Sequence, residues 1–290
     1  MTIFIQTLIL GILAGSVYGL FSTGLSLSFG VLRLVNFAHG DFVMLGMFLA
    51  YFAERSAGMP LAAVLPLSII PAALVASFIY VVFFYGTGRK ADHDQLIISL
   101  GLSILLETGA LDLFGDQARS LHVLNIPAYR FAGLYVPQAE LLAFVLSIAL
   151  VGALDIVLTR TSFGRAVRAV VADKAVAELA GVRAGRVFFI TFIISIVLAV
   201  LAGVVIVGYL PATPDVGANF ILIGFIAVLL GGTGDLRGTF AAAVIVGLTE
   251  ALVSVYWAAS VQDVAAYGLF VVIAMTRPRG LFGRGVGAVA

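Results

Sequence analysis

Long apolar stretches separated by short polar connections dominate the chain, and their length is the first structural signal. Nine can be marked, roughly 3–30, 37–53, 61–86, 94–113, 138–158, 187–209, 217–232, 239–256 and 264–276. A bilayer core about 30 Å thick is crossed by about 20 helical residues. The first and third stretches exceed that and are expected to tilt or kink. The second, seventh and ninth fall short and predict broken or partly inserted helices. Strand-like alternation with turns at about ten-residue spacing is absent, which argues against a β-barrel. The pattern predicts an all-α polytopic membrane protein of eight or nine hydrophobic helices, one transmembrane domain over residues 1–290. Its opening run, MTIFIQTLILGILAG, lacks a basic leader and continues past signal-peptide length, so it is expected to stay as the first membrane helix.

Composition agrees with lipid as the solvent. Of the 290 residues, 62% are hydrophobic and 11% charged, with mean hydropathy +1.18, against about 45–50% and about 25% in soluble domains. The net charge of +1 gives no reason to expect a nucleic-acid partner, and the absence of cysteine excludes disulfides and thiolate chemistry. Basic residues concentrate in alternate connections. With the C-terminus inside, the inner loops hold Arg33, Arg89, Lys90, Arg160, Arg165, Arg168, Lys174, Arg183, Arg186, Arg237, Arg277, Arg279 and Arg284, 13 of the 16. The expected orientation is therefore N-out, C-in. The longest connections are an external loop, 114–137, and an internal one, 159–186.

Small and polar residues add detail. Gly11, Gly15 and Gly19, four apart, line one helix face and suit close helix packing. Gly231, Gly232 and Gly234 predict a tight turn. Glu107 and Glu250 interrupt apolar runs, where ionisable groups are costly; they either hydrogen bond between helices or line a wet path. Asp112 is expected near the outer interface and Asp155 near the inner one. In NFAHGDFVML, Asn36 is expected to cap the next helix, with His39 and Asp41 in its first turns on different faces. That cluster either anchors a short or re-entrant helix or touches a translocating solute. In the inner loop, apolar residues at Val167, Val170, Val171, Ala175, Val176 and Leu179 follow helical spacing from Gly164. Charges fall between them and Gly181 can end the helix. Such a stripe needs lipid, the protein body or a partner groove to cover it.

Several chemistries are unsupported. Neither GGTGDLRGT nor GTGRK has the lysine of a phosphate-binding loop, so any ATP, with its Mg²⁺, would be bound by another chain. His39, His93 and His122 lie on different connections and predict no metal site; Asp94 is the expected cap of the fourth segment. No G-x-S-x-G elbow is present, and no enzyme activity is expected.

The stretches VYGLFSTGLSLSFGVLRLVNFAHGDFVMLGMFLAY, TSFGRAVRAVVADKAVAELAGV, LLGGTGDLRGTFAAAVIVGLTEAL and TRPRGLFGR resemble, in order, the integral-membrane permeases of branched-chain amino acid ABC importers. NFAHGDFVMLG is the most specific part. The chain is closer to the subunit type with little sequence before its first helix. The resemblance implies a second permease subunit, commonly in a heterodimer, two cytoplasmic ATPase subunits and an extracytoplasmic binding protein, in a bacterial or archaeal inner membrane. It implies that Arg165, Arg168, Ala177, Glu178 and Gly181 couple to the ATPases, although Ala177-Glu178-Leu179-Ala180-Gly181 matches the general coupling pattern loosely. The cargo it implies is a branched or hydrophobic amino acid, or a small amide such as urea. Asn36, His39, Asp41, Glu107 and Glu250 would line the path or anchor its helices. The segment LLETG carries Glu107 where the family often has amides. A self-sufficient secondary transporter or channel, with Glu107 and Glu250 as ion or proton sites, is the rival reading.

Overall fold

The computed structural model describes residues 2–85, 92–121, 128–131, 133–276 and 280–281. Its helices are α1 (Thr2–Leu32), α2 (His39–Ala57), α3 (Leu61–Ile79), α4 (Asp92–Phe114), α5 (Gln138–Arg160), α6 (Ser162–Ala172), α7 (Lys174–Leu179), α8 (Ala184–Ile206), α9 (Val216–Gly231), α10 (Leu236–Tyr256) and α11 (Gln262–Thr276). Among the described residues, seven helices are long and apolar enough to cross a membrane; α2 and α9 are not among them. The chain is an all-α polytopic membrane protein, and the nine long helices among the described residues correspond to the nine apolar stretches of the sequence. A small antiparallel hairpin, β1 (Tyr129–Phe131) and β2 (Leu134–Val136), escaped the sequence reading.

Helix α1 runs 31 residues without a break, about 46 Å at the helical rise. Its glycine face lets α10 approach backbone to backbone. A Cβ at Gly11 would lie 2.9 Å from the Leu248 Cα, and one at Gly15 2.7 Å from the Val244 Cα. A Cβ at Gly19 would strike the Phe240 ring. The antiparallel seam continues to Ser26, which accepts a hydrogen bond from Thr239 at 2.9 Å, and ends where Gly30 meets Gly234. Hydrophobic transfer does not distinguish a helix neighbour from lipid, so this close packing is what holds the pair.

Helix α8 is the second central element, buried along most of its length. It crosses α2 where Gly46 sits on the Val200 carbonyl and Gly203 on that of Val43. Helix α3 contains Pro66 and Pro71 and passes into a π-helical turn at Tyr80–Phe84. Proline removes a backbone donor and tends to bend a helix. Helices α3, α4, α5 and α11 turn outward apolar side chains such as Leu74, Ile104, Val145 and Met275.

The two ends of the bundle are distinct. At one end lie α6, α7, the α9–α10 turn and a two-pronged Arg237–Asp155 ion pair, 2.9 Å on its shorter prong. This is the end with the basic loops. At the other end Arg119 binds Ala212 through both backbone groups, at 2.9 and 2.8 Å. Its guanidinium donates to the Phe114 carbonyl at 2.8 Å and lies over the Tyr51 ring. Gln6 pairs with both backbone polar groups of Tyr135, tying the hairpin to the start of α1.

Candidate functional site

Two helices begin inside the bundle. Helix α1 ends at Arg33, whose positive φ of 55° stops the helix. The chain then doubles back along α1, so that His39 meets Phe21, with ring centroids 4.9 Å apart, and Gly24. Gly24 lies eight residues before Leu32, so α2 starts about 12 Å up the flank of α1. Helix α9 starts level with the middle of α1, where Phe220 meets Tyr18 and Phe21, and spans 16 residues, about 24 Å. The two starts pass side by side: Gly40 abuts Gly217, and Gly217 abuts Asp41. The irregular segments that precede them are buried at Leu34, Asn36, Ala38, Val207 and Ala212. Non-helical backbone is tolerated at membrane depth only where protein or a wet path covers it.

Around these starts lies a set of buried polar side chains. Asn36 and His39 are fully buried and Asp41 is 3% exposed. Ser22, Thr191 and Ser195 are likewise buried, on α1 and α8. Among the described residues, the Asn36 amide nitrogen, both His39 ring nitrogens, Asp41 Oδ2 and the hydroxyls of Ser22, Thr191 and Ser195 have no hydrogen-bond partner. The His39 ring lies beside the Phe21 carbonyl but off hydrogen-bonding geometry. Each unmet group costs about 1–3 kcal/mol in a dry interior. Asn36 does not cap α2 as the sequence suggested. Its side-chain oxygen accepts from the Ala38 N–H at 3.1 Å, closing a local turn. Ala38 precedes the helix, and His39 is its first residue rather than its third. Helix α4 likewise starts at Asp92, two residues before the expected cap Asp94.

Glu107 and Glu250 occupy opposite environments. Glu250 is buried on α10. Glu107 is exposed on α4, amid the exposed apolar residues Ile104, Leu105 and Leu111. A charged group at the centre of a bilayer costs about 2.5–3.5 kcal/mol on insertion scales. No metal-binding cluster occurs among the described residues; His122 lies outside them.

At the basic end the structure divides one expected helix into two. Asp173 is extended, with φ −157° and ψ 110°, and breaks the run into α6 and α7. Its carboxylate accepts from the Val176 N–H at 3.0 Å, capping α7. Helix α6 buries Gly164, Val167 and Val170 and is held to α5 by Arg168, which donates to the Leu158 carbonyl. Helix α7 ends at Gly181, φ +87°, with Val182 donating to the Ala177 carbonyl and Gly181 to that of Glu178, both at 3.0 Å. This is the double-bonded glycine stop. Arg165, Glu178 and Gly181 lie at the surface, Arg168 is turned inward and Ala177 is buried. Two residues of the expected apolar stripe dominate the tip: Val176 is 61% exposed and Leu179 is 89% exposed.

A bundle with two interior helix starts, a polar centre and a rigid apolar tip at one end is built like a membrane transport permease. Residues 7–275 match the family described as the branched-chain amino acid transport system permease component, and the chain belongs to that family. It is 27% identical over 295 residues to the high-affinity branched-chain amino acid transport system permease protein BraD of Pseudomonas aeruginosa, covering 97% of this chain and 96% of the relative. It is also 27% identical over 308 residues to LivH of Escherichia coli, with the same coverage. More distantly, 237 residues are 26% identical to the autoinducer 2 import system permease LsrD of Photorhabdus laumondii, covering 75% of this chain and 67% of that protein. These relatives are transport permeases, not enzymes.

Proposed function

We propose that this chain is one of two permease subunits, commonly different ones, of an ATP-driven importer in a bacterial or archaeal inner membrane. Its cargo is a branched-chain or other hydrophobic amino acid, with a small amide such as urea as the alternative. Two cytoplasmic ATPase subunits bind and hydrolyse ATP with Mg²⁺, and an extracytoplasmic binding protein delivers the solute. The observation that carries this reading is the α6–α7 pair. A two-residue apolar tip, Val176 and Leu179, stands on α7, a helix capped at both ends and joined to α6, which is anchored to α5, a shape suited to a groove on a partner. Closure of the ATPase pair pushes this tip. Because Arg168 and Gly164 lock α6 onto the end of α5, the displacement passes into the bundle rather than being lost in a flexible loop. Arg165 and Glu178 supply polar contacts at the rim, while Ala177 and Gly181 hold the shape of the turn.

Replacing residues 163–181 with a flexible linker, or introducing Leu179→Asp or Glu178→Arg, should abolish both uptake and solute-stimulated ATPase activity in the reconstituted transporter. Survival of both after complete replacement would overturn the coupling role. Exposed Glu107 favours a second reading, a secondary transporter or channel. Ion-gradient-driven uptake by the purified chain alone in liposomes would establish it.

A further inference from the structure

At the end of the bundle opposite the basic loops, one arginine joins three elements. Helix α4 stops at Phe114, and Gly115 follows with φ +78°. Arg119 then forms an antiparallel bridge with Ala212. Its N–H donates to the Ala212 carbonyl at 2.9 Å and its carbonyl accepts from the Ala212 N–H at 2.8 Å. Its guanidinium donates to the Phe114 carbonyl at 2.8 Å and stands 5.7 Å from the centre of the Tyr51 ring on α2. The Phe114 ring packs in turn on Phe48 and Phe52 of α2, with centroids 4.5 and 5.1 Å apart.

Ala212 is fully buried, in the connection that leads from α8 to the interior start of α9. Pro211 and Pro214 lie on either side of it. Proline fixes its own φ and holds the preceding residue extended, so this stretch is a stiff strut. Just beyond it Gly217 abuts Asp41 of α2. From there α2 runs on outward, twelve residues from His39 to Tyr51, about 18 Å. Arg119 therefore closes the outer side of a frame whose inner side is the crossing of α2 and α9. His39 and Ser195 lie at the level of that inner side, where Gly24 approaches both.

Two observations mark this joint as one that opens. The guanidinium makes no ion pair among the described residues; a carbonyl and a ring hold its charge. Its Nε N–H is buried with no hydrogen-bond partner among the described residues. Arg237 at the basic end shows the fixed alternative, a two-pronged carboxylate pair. A buried charged donor left unmet raises the energy of the closed arrangement, so Arg119 holds the joint without locking it.

We propose that Arg119 is a latch across the outer mouth of the permease. Closed, it ties α4, α2 and the strut before α9. Released, it frees the strut from α2 and admits water and solute to the level of His39 and Ser195. This goes beyond the coupling reading and requires only that the chain is a transport permease.

The test uses a reporter that is the only cysteine of this chain, which otherwise has none. Ser195 is fully buried, and Ser195→Cys is nearly isosteric. In right-side-out vesicles carrying the assembled transporter, a membrane-impermeant methanethiosulfonate should label it slowly. Adding Arg119→Ala should raise the rate at least about tenfold, the scale of one lost charge-assisted contact. Arg119→Lys, which keeps a charge over Tyr51, should raise it less. Labelling in inside-out vesicles should not rise. If Arg119→Ala fails to assemble, Tyr51→Leu, which leaves the backbone bridge, should raise the outer rate in its place. An outer rate indifferent to these changes would overturn the latch, and so would a rise from both sides, which means general loosening. Arg119→Cys with Ala212→Cys supplies the converse. A hydrogen-bonded antiparallel pair sets its Cα atoms about 5.5 Å apart, a span that a disulfide bridges. Oxidation should stop leucine uptake and reduction restore it; uptake that persists in crosslinked protein would also overturn the latch. A parent transporter that takes up no leucine would count against the amino-acid cargo alone, and the labelling rates, which need neither solute nor ATP, then decide the latch.

Discussion

Glycines in this chain divide by what a methyl group would meet. At Gly46 an added Cβ would run into the Val200 carbonyl, and at Gly15 into the Val244 backbone; at Gly152 it would meet nothing within 4 Å. Gly46→Ala should therefore cost about 1–3 kcal/mol of stability through forced separation of α2 and α8. Gly152→Ala should stay within about 0.5 kcal/mol of the parent. Thermal unfolding midpoints of the two variants in detergent would check the contrast. The spacing of Gly11, Gly15 and Gly19 was legible in the sequence because one helix carries the whole pattern. The Gly46–Gly203 crossing was not, because each glycine is isolated in its own helix and only the approach of the two elements relates them. The same holds for the fit of Asp41 against Gly217.

At the scale of elements, the break at Asp173 decides what the basic end can do. A single helix through residues 164–181 was a fair reading of the apolar spacing, since Val167 to Leu179 fits one stripe. The aspartate is accommodated because its backbone leaves the helix and its side chain caps the next one, an exchange that helix periodicity does not register. Asp173→Ala removes that cap, at a cost of about 1 kcal/mol to a helix of six residues. Helix α7 should fray and solute-stimulated ATPase activity should fall, while the thermal midpoint of the bundle stays near that of the parent, since Asp173 is exposed. Assay of ATPase activity beside the melting curve separates the two effects. The short second and seventh stretches did announce interrupted spans. What they omitted was that both helices start within the bundle and pass each other there.

Across the whole molecule, the absence of cysteine makes sidedness directly testable. With the basic end in the cytoplasm, Leu179→Cys should react with a membrane-impermeant maleimide only after permeabilisation. Tyr135→Cys, on the hairpin at the opposite end, should react in intact cells. The reverse pattern would invert the orientation and remove the ATPases from reach of α7. The apolar run lengths, the surplus of nonpolar residues and the clustering of basic loops determined a helical membrane protein, its nine helical stretches and the expected sidedness, because bilayer thickness and charge impose those on any sequence one segment at a time. Which polar residues share an interior depends on contacts between segments far apart in the chain. Asn36, His39 and Asp41 could be seen as neighbours in sequence, but the packing of His39 on Phe21 and of Asp41 on Gly217 arises only when the bundle packs. The apolar tip at Val176 and Leu179 was decided the same way, since which side of a short amphipathic helix remains uncovered depends on the body it docks against.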